Sequence, residues 1–127
     1  MIHKIETTNA PRATGPWSQG AMREGIIFTS GQIALNIEGK FIDGGIEEQT
    51  HQVLQNLRAV IDAGGSSMNN VVKVTIYLTD MANYPKVNEV YATYFEPPYP
   101  ARECVAVCGL PAGALVEMSM VAIKHLV

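Results

Sequence analysis

Charge is the first thing this chain is short of. Lys, Arg, Asp and Glu make up 17% of its 127 residues, against about 25% in ordinary soluble domains. Basic charge is scarcer still: nine Lys and Arg lie scattered against twelve Asp and Glu, for a formal net charge of −3. A nucleic-acid surface is usually a basic stripe or patch, so no nucleic-acid partner is expected. Long apolar runs are missing as well. None approaches the ~20 residues of a membrane-crossing helix, and Met1-Ile2-His3-Lys4-Ile5-Glu6 shows no signal-peptide pattern. The expectation is a cytoplasmic protein with no membrane partner. Cysteine is limited to Cys104 and Cys108. On one strand they would stand about 13 Å apart at ~3.3 Å per residue, too far for a disulfide within the chain. Neither has a histidine nearby in sequence, and His3, His51 and His125 form no motif. No metal site, phosphate-binding loop or dinucleotide fingerprint is expected, and no Ser/His pairing points to nucleophilic catalysis.

What the chain does have is apolar residues, 47% of the total. A chain of this length forms one domain, here residues 1–127. It buries about two-thirds of its unfolded surface. The apolar excess over so little charge points to surface hidden in a partner, most simply another copy of the chain, with a well-packed monomer as the alternative. Apolar alternation predicts strands over residues 26–35, 71–79, 102–108 and 115–124, with an earlier strand around 18–22 joined through Gly25. An additional N-terminal strand is compatible with the pattern. In the 71–79 strand, Val72, Val74, Ile76 and Leu78 are expected on one face and Lys73, Thr75 and Tyr77 on the other. Ile46, Val53, Leu54, Leu57, Val60 and Ile61 recur at helical spacing between Gly44-Gly45 and Gly64-Gly65. Tyr84, Val87, Tyr91, Tyr94 and Phe95 mark a second helix opened by Asp80 or Asn83 and stopped by Pro97-Pro98. The order β-β-α-β-α-β-β predicts an α+β mixed β-sheet with two helices packed on one face. The other face is the expected subunit interface.

Two charges stand out because they lie in apolar strands. Arg102 precedes a run of small apolar residues, and Glu117 sits within Leu115-Val116-Glu117-Met118-Ser119-Met120-Val121. A carboxylate in such a run is costly to bury unpaired. Arg102 and Glu117 could simply form a salt bridge or lie on exposed edges. The functional alternative gives Arg102 a ligand carboxylate to bind bidentately and Glu117 the part of a general base, its pKa raised by apolar surroundings. Gly31, within Ser30-Gly31-Gln32, implies either a bulge or the close approach of another group to the backbone. Asn88 is polar within the second helix, and Trp17, the only tryptophan, sits in a Gly15-Pro16 turn. Taken singly, these residues read as readily as packing or solvent-facing groups.

Together the segments resemble the RidA/YjgF family of enamine/imine deaminases. The resemblance runs over nearly the whole chain, through Ala10-Pro11, Gly15-Pro16-Trp17-Ser18-Gln19-Gly20, Thr29-Ser30-Gly31-Gln32-Ile33, Glu48-Gln49-Thr50 and Leu54-Gln55-Asn56-Leu57. It continues in Val87-Asn88-Glu89-Val90-Tyr91 and Tyr94-Phe95. Its most specific part is Pro100-Ala101-Arg102-Glu103-Cys104-Val105, followed by Leu110-Pro111 and Leu115-Val116-Glu117-Met118. The resemblance implies a chorismate-mutase-like subunit in a homotrimer with sheets inward and clefts between subunits. It implies cofactor-free hydrolysis of 2-aminoacrylate, 2-aminocrotonate and their imine tautomers to 2-keto acids and ammonia. Arg102 would clamp the substrate carboxylate and Glu117 would activate water. The backbone at Gly31 and Cys104 would add hydrogen bonds, with Ser30, Trp17 and Asn88 completing the binding site. Two positions depart from the family pattern: Trp17 replaces a common Tyr and Glu103 a common Ser. Alternation turns Glu103 away from Arg102; were it to reach Arg102, it would compete with the substrate. The rival reading is a non-enzymatic ligand-binding or chaperone-like trimer using the same cleft. A ribonuclease is a weaker third reading, given the acidic balance.

Overall fold

The computed structural model describes residues 1–125. Its strands are β1 (His3–Ile5), β2 (Gly20–Arg23), β3 (Ile26–Thr29), β4 (Val71–Leu78), β5 (Ala101–Ala106) and β6 (Val116–Ile123), and its helices α1 (Ile46–Ala63) and α2 (Tyr84–Tyr91). The strands form one mixed sheet in the order β1-β2-β3-β6-β4-β5. All neighbours are antiparallel except β4 and β5, which run parallel across the α2 connection. Both helices contribute buried residues to the core on one sheet face, as the pattern of elements predicts. The N-terminal strand is present, added to the edge of β2.

Local chemistry explains most boundaries. Glu24 and Gly25 both take positive φ, 51° and 79°, the left-handed pair of a two-residue hairpin turn between β2 and β3. At the start of α1 the Gly45 N–H donates to Glu48 Oε2 at 3.0 Å, and the same carboxylate suits the positive end of the helix dipole. At its end Gly65 turns at φ 82°, and the Ser66 N–H reaches back to the Ile61 carbonyl. The stripe of Val53, Leu54, Leu57, Val60 and Ile61 is fully buried between these ends. Two buried polar residues of α1 hold neighbouring loops: Asn56 donates to the Leu35 carbonyl at 2.8 Å, and Gln49 accepts from the Leu115 N–H at 2.9 Å.

Three expectations are corrected. The strand expected over 26–35 ends at Thr29, where the ladder to β6 breaks: the Met120 N–H goes to the Thr29 hydroxyl at 2.9 Å, and pairing with β6 resumes only as an isolated bridge between Gln32 and Met118. The second helix stops at Tyr91 rather than running to Phe95; Thr93 and Tyr94 continue only in tight three-residue turns. Phe95 nevertheless stays buried, stacked on Tyr91 with ring centroids 4.5 Å apart. Val72 does not share the inward face with Val74. A register shift between Val71 and Lys73 puts Val71 inside and leaves Val72 exposed, which is what one irregularity does to a period of two.

The sheet face away from the helices carries exposed Ile26, Phe28, Val105 and Ile123. Phe28 alone keeps 54% of its surface accessible, a large apolar exposure for a residue in mid-sheet.

Candidate active site

Arg102 stands on β5, the outer strand, and pairs in register with Val74 of β4. Val74 is fully buried beneath the helices, so alternation aims Arg102 at the helix side as well. There its Nη2 donates to the Tyr84 hydroxyl at 2.6 Å and its Nη1 to Asn88 Oδ1 at 2.7 Å. The guanidinium carbon also lies 4.8 Å from the centre of the Tyr91 ring and 5.6 Å from that of Tyr84, a cation set against aromatic faces. Among the described residues no carboxylate pairs with it. Glu103 points the other way, as alternation predicts, and is held by Lys73 Nζ at 2.7 Å. The positive charge of Arg102 is thus oriented by neutral groups, with no counterion among the described residues.

Glu117 stands on β6 opposite Tyr77 of β4. Its neighbours Val116 and Met118 are fully buried under the helices, so Glu117 faces the open side of the sheet. Partial burial raises its carboxyl above the ordinary carboxylate range, because desolvation penalises the charged form. Beside it lies Gly31. From Phe28 to Gln32 is four residues, while the partners Val121 to Met118 span three. One extra residue is therefore bulged out of the ladder at Ser30-Gly31. The Met120 N–H, opposite the bulge, donates to Thr29 Oγ1 at 2.9 Å instead. A Cβ on Gly31 would stand 2.9 Å from Glu117 Cδ and closer still to Oε2, so the absent side chain makes room for the carboxyl. Both alternatives read from the sequence, a bulge and a close approach, occur here together.

The candidate residues fall into two groups. Glu117, Gly31 and Ser30 lie together on the open side, and Ser30 ties in the Trp17 turn through its bond to Ser18. Arg102, Asn88 and Cys104 lie together on the helix side of the edge strand. The salt bridge between Arg102 and Glu117 does not form: the two side chains occupy opposite faces of the sheet. Trp17 is half-exposed and borders a cleft of about 850 Å³ with Thr7, Arg12, Thr14 and Ile37, which neither Arg102 nor Glu117 lines. Burial raises the Cys104 thiol pKa, an effect opposed by Arg102, so the group stays protonated and is a poor nucleophile. Among the described residues no three His, Cys, Asp or Glu converge as metal ligands. Sequence reasoning missed Tyr84 and Tyr91 as partners of Arg102. The available signal was their spacing from Asn88, i, i+4 and i+7 along one face of α2.

Comparison with known proteins gives a consistent picture. The endoribonuclease L-PSP family profile matches residues 7–124. A RutC family protein of Pyrococcus horikoshii, PH0854, is 45% identical over 126 residues, covering 98% of this chain and all of the relative. A mouse protein named 2-iminobutanoate/2-iminopropanoate deaminase is 42% identical over 121 residues, covering 94% of this chain and 90% of the relative. The crystal structure of YyfA, a Rid-family protein of Yersinia pestis, superposes with a TM-score of 0.94 at 44% identity, covering 97% of this chain and 99% of that one.

Proposed function

Starting from the fact that this chain belongs to the endoribonuclease L-PSP family, the RidA/YjgF proteins, we propose that it is a cytoplasmic deaminase. Its substrates would be small 2-enamine and 2-imine carboxylates, 2-aminoacrylate and 2-aminocrotonate among them. The observation that carries this reading is Arg102, a half-buried guanidinium held by neutral oxygens and ring faces, with no counterion among the described residues. Such a group is complementary to a small carboxylate. The deaminase names borne by relatives at about this distance support the reaction class.

In this reading the protonated imine carbon is the electrophile. Glu117 takes a proton from water as the oxygen adds to that carbon, giving a carbinolamine. It then returns the proton to nitrogen as the C–N bond breaks and ammonia leaves; the remaining hydroxyl gives its own proton to the freed Glu117 carboxylate as it becomes the 2-keto group, and that proton passes to the departing ammonia as ammonium. A carboxyl whose pKa is raised by burial suits both halves of this exchange. The backbone at Gly31 and Cys104 adds hydrogen bonds to the bound anion, and Ser30, Asn88 and Trp17 complete the cleft. The chain alone, without a cofactor, carries the chemistry.

A homotrimer with sheets inward completes the site. Arg102 and Glu117 lie on opposite faces of one subunit's sheet, so a single small ligand meets both only between chains. The exposed Ile26, Phe28, Val105 and Ile123 give that assembly an apolar contact face. The test couples a serine dehydratase, which releases 2-aminoacrylate, to this protein and follows loss of the intermediate, with solution mass measured on the same sample. Faster clearance by a species three times the chain mass is expected. Pyruvate binding without clearance would favour the non-enzymatic module.

Gly31→Ala offers a finer check. The new Cβ would meet the Glu117 carboxyl, the mobile end of a side chain, so the fold adjusts and the carboxyl is displaced. Turnover should fall roughly 10- to 100-fold, the scale of an ångström misplacement at a reacting group, with the unfolding midpoint unchanged. Full activity would separate this contact from catalysis.

A further inference from the structure

One stripe of α2 handles Arg102. Tyr84, Asn88 and Tyr91 share a helix face, and each of the first two takes an N–H from a different terminal nitrogen of the guanidinium. A planar group bonded at one nitrogen can swing about that bond; bonded at both, its plane is set. The Tyr91 ring closes the near side at 4.8 Å. Burial pushes the Tyr91 hydroxyl up to about 12, so it remains a neutral phenol under the cation, and among the described residues it makes no hydrogen bond. None of the three contacts discharges the guanidinium, and among the described residues its remaining N–H donors take no partner, which leaves them for a ligand.

We propose that Tyr84 is a positioning residue for anion recognition: its hydroxyl, acting with Asn88, locks the plane of the Arg102 guanidinium so that the remaining N–H donors meet a ligand carboxylate as a fixed fork. This rests on the deaminase reading only in taking a small 2-imino or 2-keto carboxylate as the ligand. The consequence is discrimination by charge and acceptor number. A carboxylate offers two acceptor oxygens to the fork. The corresponding amide offers one oxygen and an NH₂ group, whose donors face donors. A guanidinium free to swing would tell the two apart less well.

Tyr84→Phe isolates the hydroxyl, because the ring and its packing remain. Calorimetric titrations of wild type and Tyr84→Phe with pyruvate and with pyruvamide read the fork directly, and turnover of 2-aminoacrylate is measured on the same samples. Pyruvate Kd is expected to rise roughly tenfold in Tyr84→Phe, the scale of one hydrogen bond to a charged group. Pyruvamide binding and kcat should stay close to wild type, and KM should rise with the pyruvate Kd. An unchanged pyruvate Kd would overturn the proposal. So would an equal loss for pyruvate and pyruvamide, which marks a change of pocket shape rather than of the fork. A wild type that binds pyruvate through Tyr84 yet does not clear 2-aminoacrylate sustains this proposal and defeats the deaminase reading. Clearance with no response to Tyr84→Phe does the reverse.

Discussion

Replacing Glu117 with Gln should lower kcat for imine hydrolysis by roughly 10²-fold or more, the usual scale for loss of a general base, with KM little changed. Gln keeps the length and shape of the side chain, so its amide still fits against Gly31. What it loses is the capacity to take a proton from water and give it back. The pH profile separates this from a steric effect. Burial raises the Glu117 pKa, and the basic form is the carboxylate. Wild-type kcat should therefore rise with pH through a pKa above the ordinary carboxylate value, and Glu117→Gln should lack that limb. Stability moves the opposite way from activity. Because the folded-state pKa lies above the unfolded one, the protonated form favours folding at low pH. That contribution is lost as pH rises through the folded-state value. A neutral Gln is thus expected to unfold at the same temperature as wild type at neutral pH, or higher. A kcat near wild type would reject Glu117 as the base.

The second large effect belongs to Arg102. Arg102→Ala should reduce kcat/KM by roughly 10²-fold or more, mostly through KM, since a bound carboxylate loses its charged partner. The variant also strips the cation from above the Tyr91 ring and leaves Asn88 Oδ1 and the Tyr84 hydroxyl without their donor. Unfolding midpoint and solution mass must be measured beside the kinetics. Full activity in an intact assembly would remove Arg102 from the site.

Much of this arrangement is legible in the residues. The α1 stripe has one reading because glycine pairs bracket it and its apolar positions recur at 3.6-residue spacing. Alternation along β5 correctly turns Glu103 away from Arg102, and the lone glycine in the Thr29–Gln32 segment marks the place where a carboxyl comes close. What local pattern cannot supply is contact between distant segments. Thr29 ends β3 because its hydroxyl, not its backbone, takes the Met120 N–H of β6, a contact 91 residues away in the sequence. Val72 turns outward because of a register shift against β6. Tyr84 reads from its spacing as one more core aromatic, and only the parallel pairing of β4 with β5 brings it to Arg102. The faces of Arg102 and Glu117 follow from alternation only once the register of each strand against β4 is known.

That opposition of faces has a genetic reading. Where each cleft draws Arg102 from one chain and Glu117 from the next, Arg102→Ala and Glu117→Gln damage different walls of the same cleft. The two impaired proteins, unfolded and refolded together in equal amounts, would then form mixed rings in which one junction unites the undamaged Arg102 with the undamaged Glu117. Random assortment around a closed ring leaves about a quarter of the clefts whole. Co-expression of the two impaired alleles should therefore recover about that share of wild-type kcat/KM, while a chain carrying both substitutions recovers none.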